Sequence, residues 1–171
     1  MPIPTKMKSK LVKLKQFSGN KATIYGVWFD ELKQTSFDLF ISENINVFKS
    51  ELNDIVARLI SIGKTIGARE QFFKQYEGMP GDGVCALFDI PGKKLRLYCI
   101  RYGTLIVIVG SGSYKNVQKL QQFKKLKDEN EILKTLSAEI TRRIKEGDIW
   151  YSDDYMELEG NLEFNNEENE D

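Results

Sequence analysis

The sequence predicts an α+β domain: a small antiparallel sheet with helices packed on it, carrying extra N-terminal strands and a C-terminal extension. Three observations carry this. Residues 83–115 read as three apolar strands joined by two glycine-containing turns. Apolar stripes at helical spacing lie on both sides of that block. The chain has 171 residues, enough for one domain with a core of its own. Residues 1–150 are assigned to that single domain, and 151–171 to an acidic, partly disordered extension.

Residues 1–10 hold two prolines and spaced lysines and read as loose chain. Leu11 to Phe17 alternates in part, as a short strand does. Lys21 to Phe29 is rich in β-branched and aromatic residues and predicts a strand. Ser36 to Ile41 predicts a return strand, with Phe37, Leu39 and Ile41 on one face. Ser42 then suits a helix N-cap, with Glu43 in the first turn. Phe48, Leu52, Ile55, Leu59 and Ile62 form the stripe of that helix, and Gly63 is placed at its C-cap.

Residues 67–76 predict a short helix or turn, and 77–83 a loop. Strands are expected at about 84–90, 94–101 and 104–110, antiparallel in sequence order because their connections are too short for a crossover. Asn116 suits the cap of a helix over 117–123, and a second helix spans about 128–145, ending at Gly147. Residues 149–151 and 158–164 are strand-like, with a turn at Asp153-Asp154. Residues 165–171 are too polar to pack.

The formal net charge is zero, but the charges are unevenly placed. Residues 1–150 hold all 25 Lys and Arg against 16 acids; the last 21 residues hold nine acids and no base. A body with that excess suits an anionic partner. The acidic residues 152–171 are expected either to lie over the basic face or to form a freely mobile tail. The chain contains no histidine, which removes His-based acid–base catalysis and His metal ligation. Cys85 and Cys99 fall inside apolar strands and read as buried free thiols, without metal-ligand spacing. No signal peptide and no membrane-length apolar run is visible. The expected location is the cytoplasm, without cofactor, metal or membrane contact.

The central block reads Gly83-Val84-Cys85-Ala86-Leu87, then Leu95-Arg96-Leu97-Tyr98, then Leu105-Ile106-Val107-Ile108-Val109-Gly110, followed by Ser111-Gly112-Ser113-Tyr114-Lys115. With the helices before it, this block resembles the RelE superfamily of bacterial toxins, and most closely its phage-derived HigB-like branch, over about residues 45–120. The resemblance implies a RelE-like fold. It also implies a toxin of a toxin–antitoxin system: a metal-independent messenger-RNA interferase acting on ribosome-bound messenger. Its implied partners are RNA, the ribosome and a cognate antitoxin, of helix-turn-helix type beside HigB-like toxins.

By the same resemblance, Arg96 sits where such toxins place an arginine against the scissile phosphate. A guanidinium there stabilises charge on the phosphorane while the 2′-hydroxyl attacks. Lys115 is placed to neutralise or protonate the 5′-oxygen leaving group, and Tyr114 to stack on a base or move a proton. The branch often carries an arginine after the glycine of the last strand. Here Ser111-Gly112-Ser113 stands instead, expected as a flexible loop whose amides approach a phosphate. Lys93, Lys94, Arg101, Lys119, Lys124 and Lys125 then form a basic track for RNA. For each cation the competing reading is a solvated strand or helix end. The competing function is an inactive RelE-fold protein-binding module, with its concave sheet face filled or apolar. The interferase reading instead requires Arg96, Lys94 and either Tyr114 or Lys115 on one shared open surface.

Overall fold

The structure, a computed structural model, describes residues 8–75, 83–87, 92–115 and 120–165. It is α+β, with a mixed sheet and two long helices. The strands are β1 (Ser9–Lys13), β2 (Thr23–Phe29), β3 (Gln34–Thr35), β4 (Phe73–Gln75), β5 (Val84–Leu87), β6 (Leu95–Tyr102), β7 (Ile106–Tyr114), β8 (Ile149–Tyr151), β9 (Leu158–Gly160) and β10 (Glu163–Phe164). The helices are α1 (Ser36–Ser61) and α2 (Leu120–Glu146). The main sheet runs β10-β1-β2-β7-β6-β5-β4, with β3 also on β2; β8 and β9 form a separate hairpin.

The central meander is antiparallel in sequence order, as expected: Cys85 faces Cys99 on β5–β6, and Ile100 faces Ile108 on β6–β7. Both cysteines are buried and form no disulfide with one another. The sheet as a whole is not purely antiparallel. β2 pairs parallel to β7, Thr23 with Ile106 through Gly26 with Val109. The chain between them contains α1 and four strands, ample for a crossover. Turn chemistry specifies only neighbouring strands, so this pairing had no local signal.

Helices cover both faces. On one side Phe37, Phe40, Leu52, Ile55 and Leu59 of α1 pack with Ile24, Leu95, Leu97, Cys99, Val107 and Val109. On the other, Leu126, Leu133, Leu136 and Ile140 of α2 pack with Tyr25, Val27, Tyr98, Ile100, Ile106 and Ile108. Alternate residues of β2, β6 and β7 thus enter two different cores, which explains their nearly unbroken apolar runs.

Three local expectations change. Residues 36–41 are the start of α1 rather than a strand. The N-cap is Thr35, not Ser42. The Thr35 hydroxyl accepts from the Asp38 N–H at 3.0 Å, and the Asp38 carboxylate accepts from the Thr35 N–H at 3.1 Å, a reciprocal capping box. Two bonds at the true start outweigh the alternation of Phe37, Leu39 and Ile41. Gly63 is not a C-cap either. The helix continues into one π turn, Ile62–Ile66, and Gly67 closes it at φ 79°. The Gly63 carbonyl accepts from the N–H groups of Lys21 and Ala22 at 2.9 and 3.1 Å, tying α1 to the segment before β2.

The expected break before residue 128 does not occur, because α2 is continuous from Leu120. Its stripe at Leu126, Leu133, Leu136 and Ile140 bridges the lysine run. The expected cap at Asn116, the loop at 77–82 and the segment 166–171 lie outside the described residues. Of the helix or turn expected at 67–76, residues 70–72 form a 3₁₀ turn, and 73–75 are strand β4. The strand-like stretches expected at 149–151 and 158–164 are β8, β9 and β10, and β10 pairs with β1. No helix among the described residues is long and apolar enough to cross a membrane.

Candidate nucleic-acid interface

The site residues gather at one end of the β6–β7 pair. Leu95 faces Tyr114, Arg96 faces Ser113, and Leu97 faces Gly112. Just beyond, the Lys115 N–H donates to the Lys94 carbonyl at 2.8 Å. Side chains of β6 alternate between the two cores: Leu95, Leu97 and Cys99 belong to the α1 side, Tyr98 and Ile100 to the α2 side. Arg96 and its partner Ser113 therefore lie on the α2 side. Lys94 and Lys115 share that parity. Tyr114 falls on the α1 side, its ring centroid 5.3 Å from that of Phe48. The fold thus gathers Lys94, Arg96 and Lys115 and sets Tyr114 across the thickness of the sheet from them. Lys94 is exposed; Arg96 and Lys115 are half-buried.

Glu51 of α1 fixes this end of the sheet. Its carboxylate accepts from the Lys94 N–H at 2.8 and 2.9 Å and from the Leu95 N–H at 2.9 Å. Charge-assisted bonds of this kind are stronger than neutral ones. One turn along, Asp54 pairs with Lys93 at 3.2 Å. Glu51 was not singled out from sequence, because nothing distinguishes it from the other acids on the polar side of the α1 stripe.

The Gly110–Ser113 stretch corrects an expectation. It is buried strand, not a flexible loop. Between the Leu97–Gly112 and Cys99–Val109 pairs, β7 holds one residue more than β6, a β-bulge. At Gly112 a Cβ would meet the Arg96 carbonyl oxygen at 1.7 Å; at Gly110 it would meet the Leu133 side chain of α2 at 2.8 Å. These glycines are where the chain packs most closely, so their amides are not presented to a phosphate.

Two of the expected RNA-binding lysines lie on α2. Lys124 is exposed. Lys125 stands 3.2 Å from Glu43 of α1 and 3.3 Å from Glu129 of α2, linking the two helices. The Glu129 side chain is only 3% exposed. Burial raises its carboxyl above the ordinary range, and Lys125 opposes that shift. Lys119 lies outside the described residues. Arg101 does not join the group: it is five residues further along β6, about 17 Å at the strand rise. Its Nε donates to the Ala68 carbonyl at 2.7 Å, and its guanidinium lies 5.8 Å from the Phe73 ring.

Arg101 lines a recess of about 100 Å³ with Glu70, Gly83 and Cys85. Residues 166–171 of the acidic extension lie outside the described residues, and its strand β10 is separated from β7 by β1 and β2.

No protein-family model, curated protein or solved structure gives a significant match to the chain. The chemistry available is that of a cationic rim: one exposed ammonium, one half-buried ammonium and one half-buried guanidinium at the end of a rigid strand pair. Such a rim suits phosphate oxygens, with Arg96 able to bind two of them at once.

Proposed function

We propose that this protein is a RelE-like toxin that binds RNA at the Lys94–Arg96–Lys115 rim and cleaves it without metal or cofactor. The observation that carries the reading is strand parity, which sets these three cations on one side of one strand end. In the proposed reaction a ribose 2′-oxygen bonds to the adjacent phosphorus and loses its proton to water. Arg96 holds the equatorial oxygens of the phosphorane, and donors that fit charge developing in a transition state account for most of such catalysis. The P–O5′ bond then breaks, and Lys115 supplies the proton to the departing oxygen. Tyr114 drops out of this scheme, since its ring lies against α1. Ribosome-bound messenger as substrate, and control by an antitoxin, belong to the same proposal.

A second reading has its own support. α2 fills the sheet face on which Arg96 lies, as a non-catalytic RelE-fold binding module would require. Expression of the chain alone in bacteria separates the two. The interferase reading expects growth arrest and defined messenger cuts by primer extension, both lost in Arg96→Ala with the melting curve unchanged. Wild-type protein that neither slows growth nor cuts RNA, with or without ribosomes, overturns it in favour of the binding module.

A further inference from the structure

The hairpin of β8 and β9 carries a surface that the RNA rim does not use. Ile149 pairs with Gly160, Trp150 with Glu159, and Tyr151 with Leu158. Ile149 and Leu158 are buried against Tyr25, Leu11 and α2. The Tyr25 hydroxyl accepts from the Leu158 N–H at 3.0 Å, anchoring the hairpin to β2. The opposite face points outward. Its centre is Trp150, 51% exposed, and Glu159 is its direct cross-strand neighbour.

Few large apolar side chains are so exposed here, and Trp150 is held in place. A Cβ on Gly160 would lie 2.8 Å from the indole Cζ3, so the ring passes close to the Gly160 backbone while about half of the residue stays in solvent. Asp148 and Glu157 share the parity of Trp150 and Glu159 on this outward face. Glu157 already takes a cation, the Lys13 ammonium at 3.3 Å. Asp148 and Glu159 have no ion-pair partner among the described residues. From Asp148 to the C-terminus the chain contains no lysine or arginine, so nothing on the extension can neutralise them.

We propose that the outward face of β8–β9 docks a cationic segment of a protein partner, an arginine side chain lying flat on the Trp150 indole with its guanidinium paired to Glu159. A planar cation over an indole gains from the ring quadrupole, and the neighbouring carboxylate adds a charge-assisted bond. This surface repels RNA, so it is independent of the cationic rim.

The test titrates the full chain with an alternating arginine–serine octapeptide, followed by calorimetry at two salt concentrations. Lysine–serine and glutamate–serine octapeptides serve as comparisons. The expected result is saturable binding, tighter for arginine than for lysine and absent for glutamate. Trp150→Ala should weaken it about five- to tenfold and Trp150→Phe less. Glu159→Gln should weaken it by a similar factor, with all melting curves unchanged because both side chains are exposed. Equal binding by wild type and Trp150→Ala overturns the proposal. So does a concentration-dependent dimer, seen by sedimentation and lost in Trp150→Ala, which would give the surface to a second copy of this chain.

Discussion

Phe48 and Tyr114 meet with ring centroids 5.3 Å apart, at the one residue of α1 that leaves helical geometry (φ −121°, ψ 35°). The contact holds the end of β7 to α1 and settles which side of the sheet Tyr114 occupies. It divides two residues that the sequence places side by side, Tyr114 and Lys115, between packing and the cationic rim.

Tyr114→Phe should therefore leave RNA binding and any cleavage unchanged, since the hydroxyl has no part in the rim. Tyr114→Ala removes a half-buried ring and its aromatic partner and should cost about 2 kcal/mol of stability. Chemical denaturation and an RNA-binding titration on the same preparations check both. A large functional loss in Tyr114→Phe would return the phenol to the site.

Gly112→Ala should destabilise the fold by about 3 kcal/mol or more, because its Cβ would fall 1.7 Å from the Arg96 carbonyl oxygen and neither backbone can yield. The neighbouring Ser111 hydroxyl is buried without a hydrogen-bond partner among the described residues. Ser111→Ala should accordingly be neutral or stabilising by about 1 kcal/mol. Denaturant midpoints for the two variants should move in opposite directions or only for Gly112.

Thr35→Ala and Asp38→Ala each break half of the capping box of α1. Each should cost about 1 kcal/mol, or roughly 2–4 °C in Tm for a chain of this size. The double variant should lose less than the two single losses added together, since the bonds are reciprocal. Strict additivity would show that the two groups act separately.

Glu129 is held with its carboxyl raised above its ordinary value of 4.5, mainly by burial. The folded state therefore keeps this proton where the unfolded chain has lost it. The sign follows: the stability contributed is full below about pH 4.5 and is lost as pH rises through the raised value. Glu129→Gln keeps an acceptor for Lys125 and removes the titration. Its stability relative to wild type should rise from pH 4.5 towards neutrality and then level off. A difference that stays constant with pH would mean that burial does not control this group.

The sequence by itself determined what short-range chemistry determines. Glycine-containing turns and apolar runs at 83–115 produced the three antiparallel strands. The helical stripe from Phe48 to Ile62 located most of α1, and Gly147 marked the end of α2. The burial of both cysteines followed from their places in those strands. The cations of the candidate rim were named from the sequence, where the interferase reading required Arg96, Lys94 and either Tyr114 or Lys115 to share one surface.

Tertiary structure alone decided which of them share a surface. Parity assigns Arg96 and Lys115 to the α2 side and Tyr114 to the α1 side, but which core each side packs against depends on helices distant in sequence. The parallel β2–β7 pairing and the Glu51 contact with β6 both join residues far apart along the chain. Such contacts are set by the complementarity of whole packed layers, and no local pattern encodes them. The same reason explains residues 36–41: their alternation fits a strand, and only the capping box and the burial of Phe37 and Phe40 beneath the sheet make them helix.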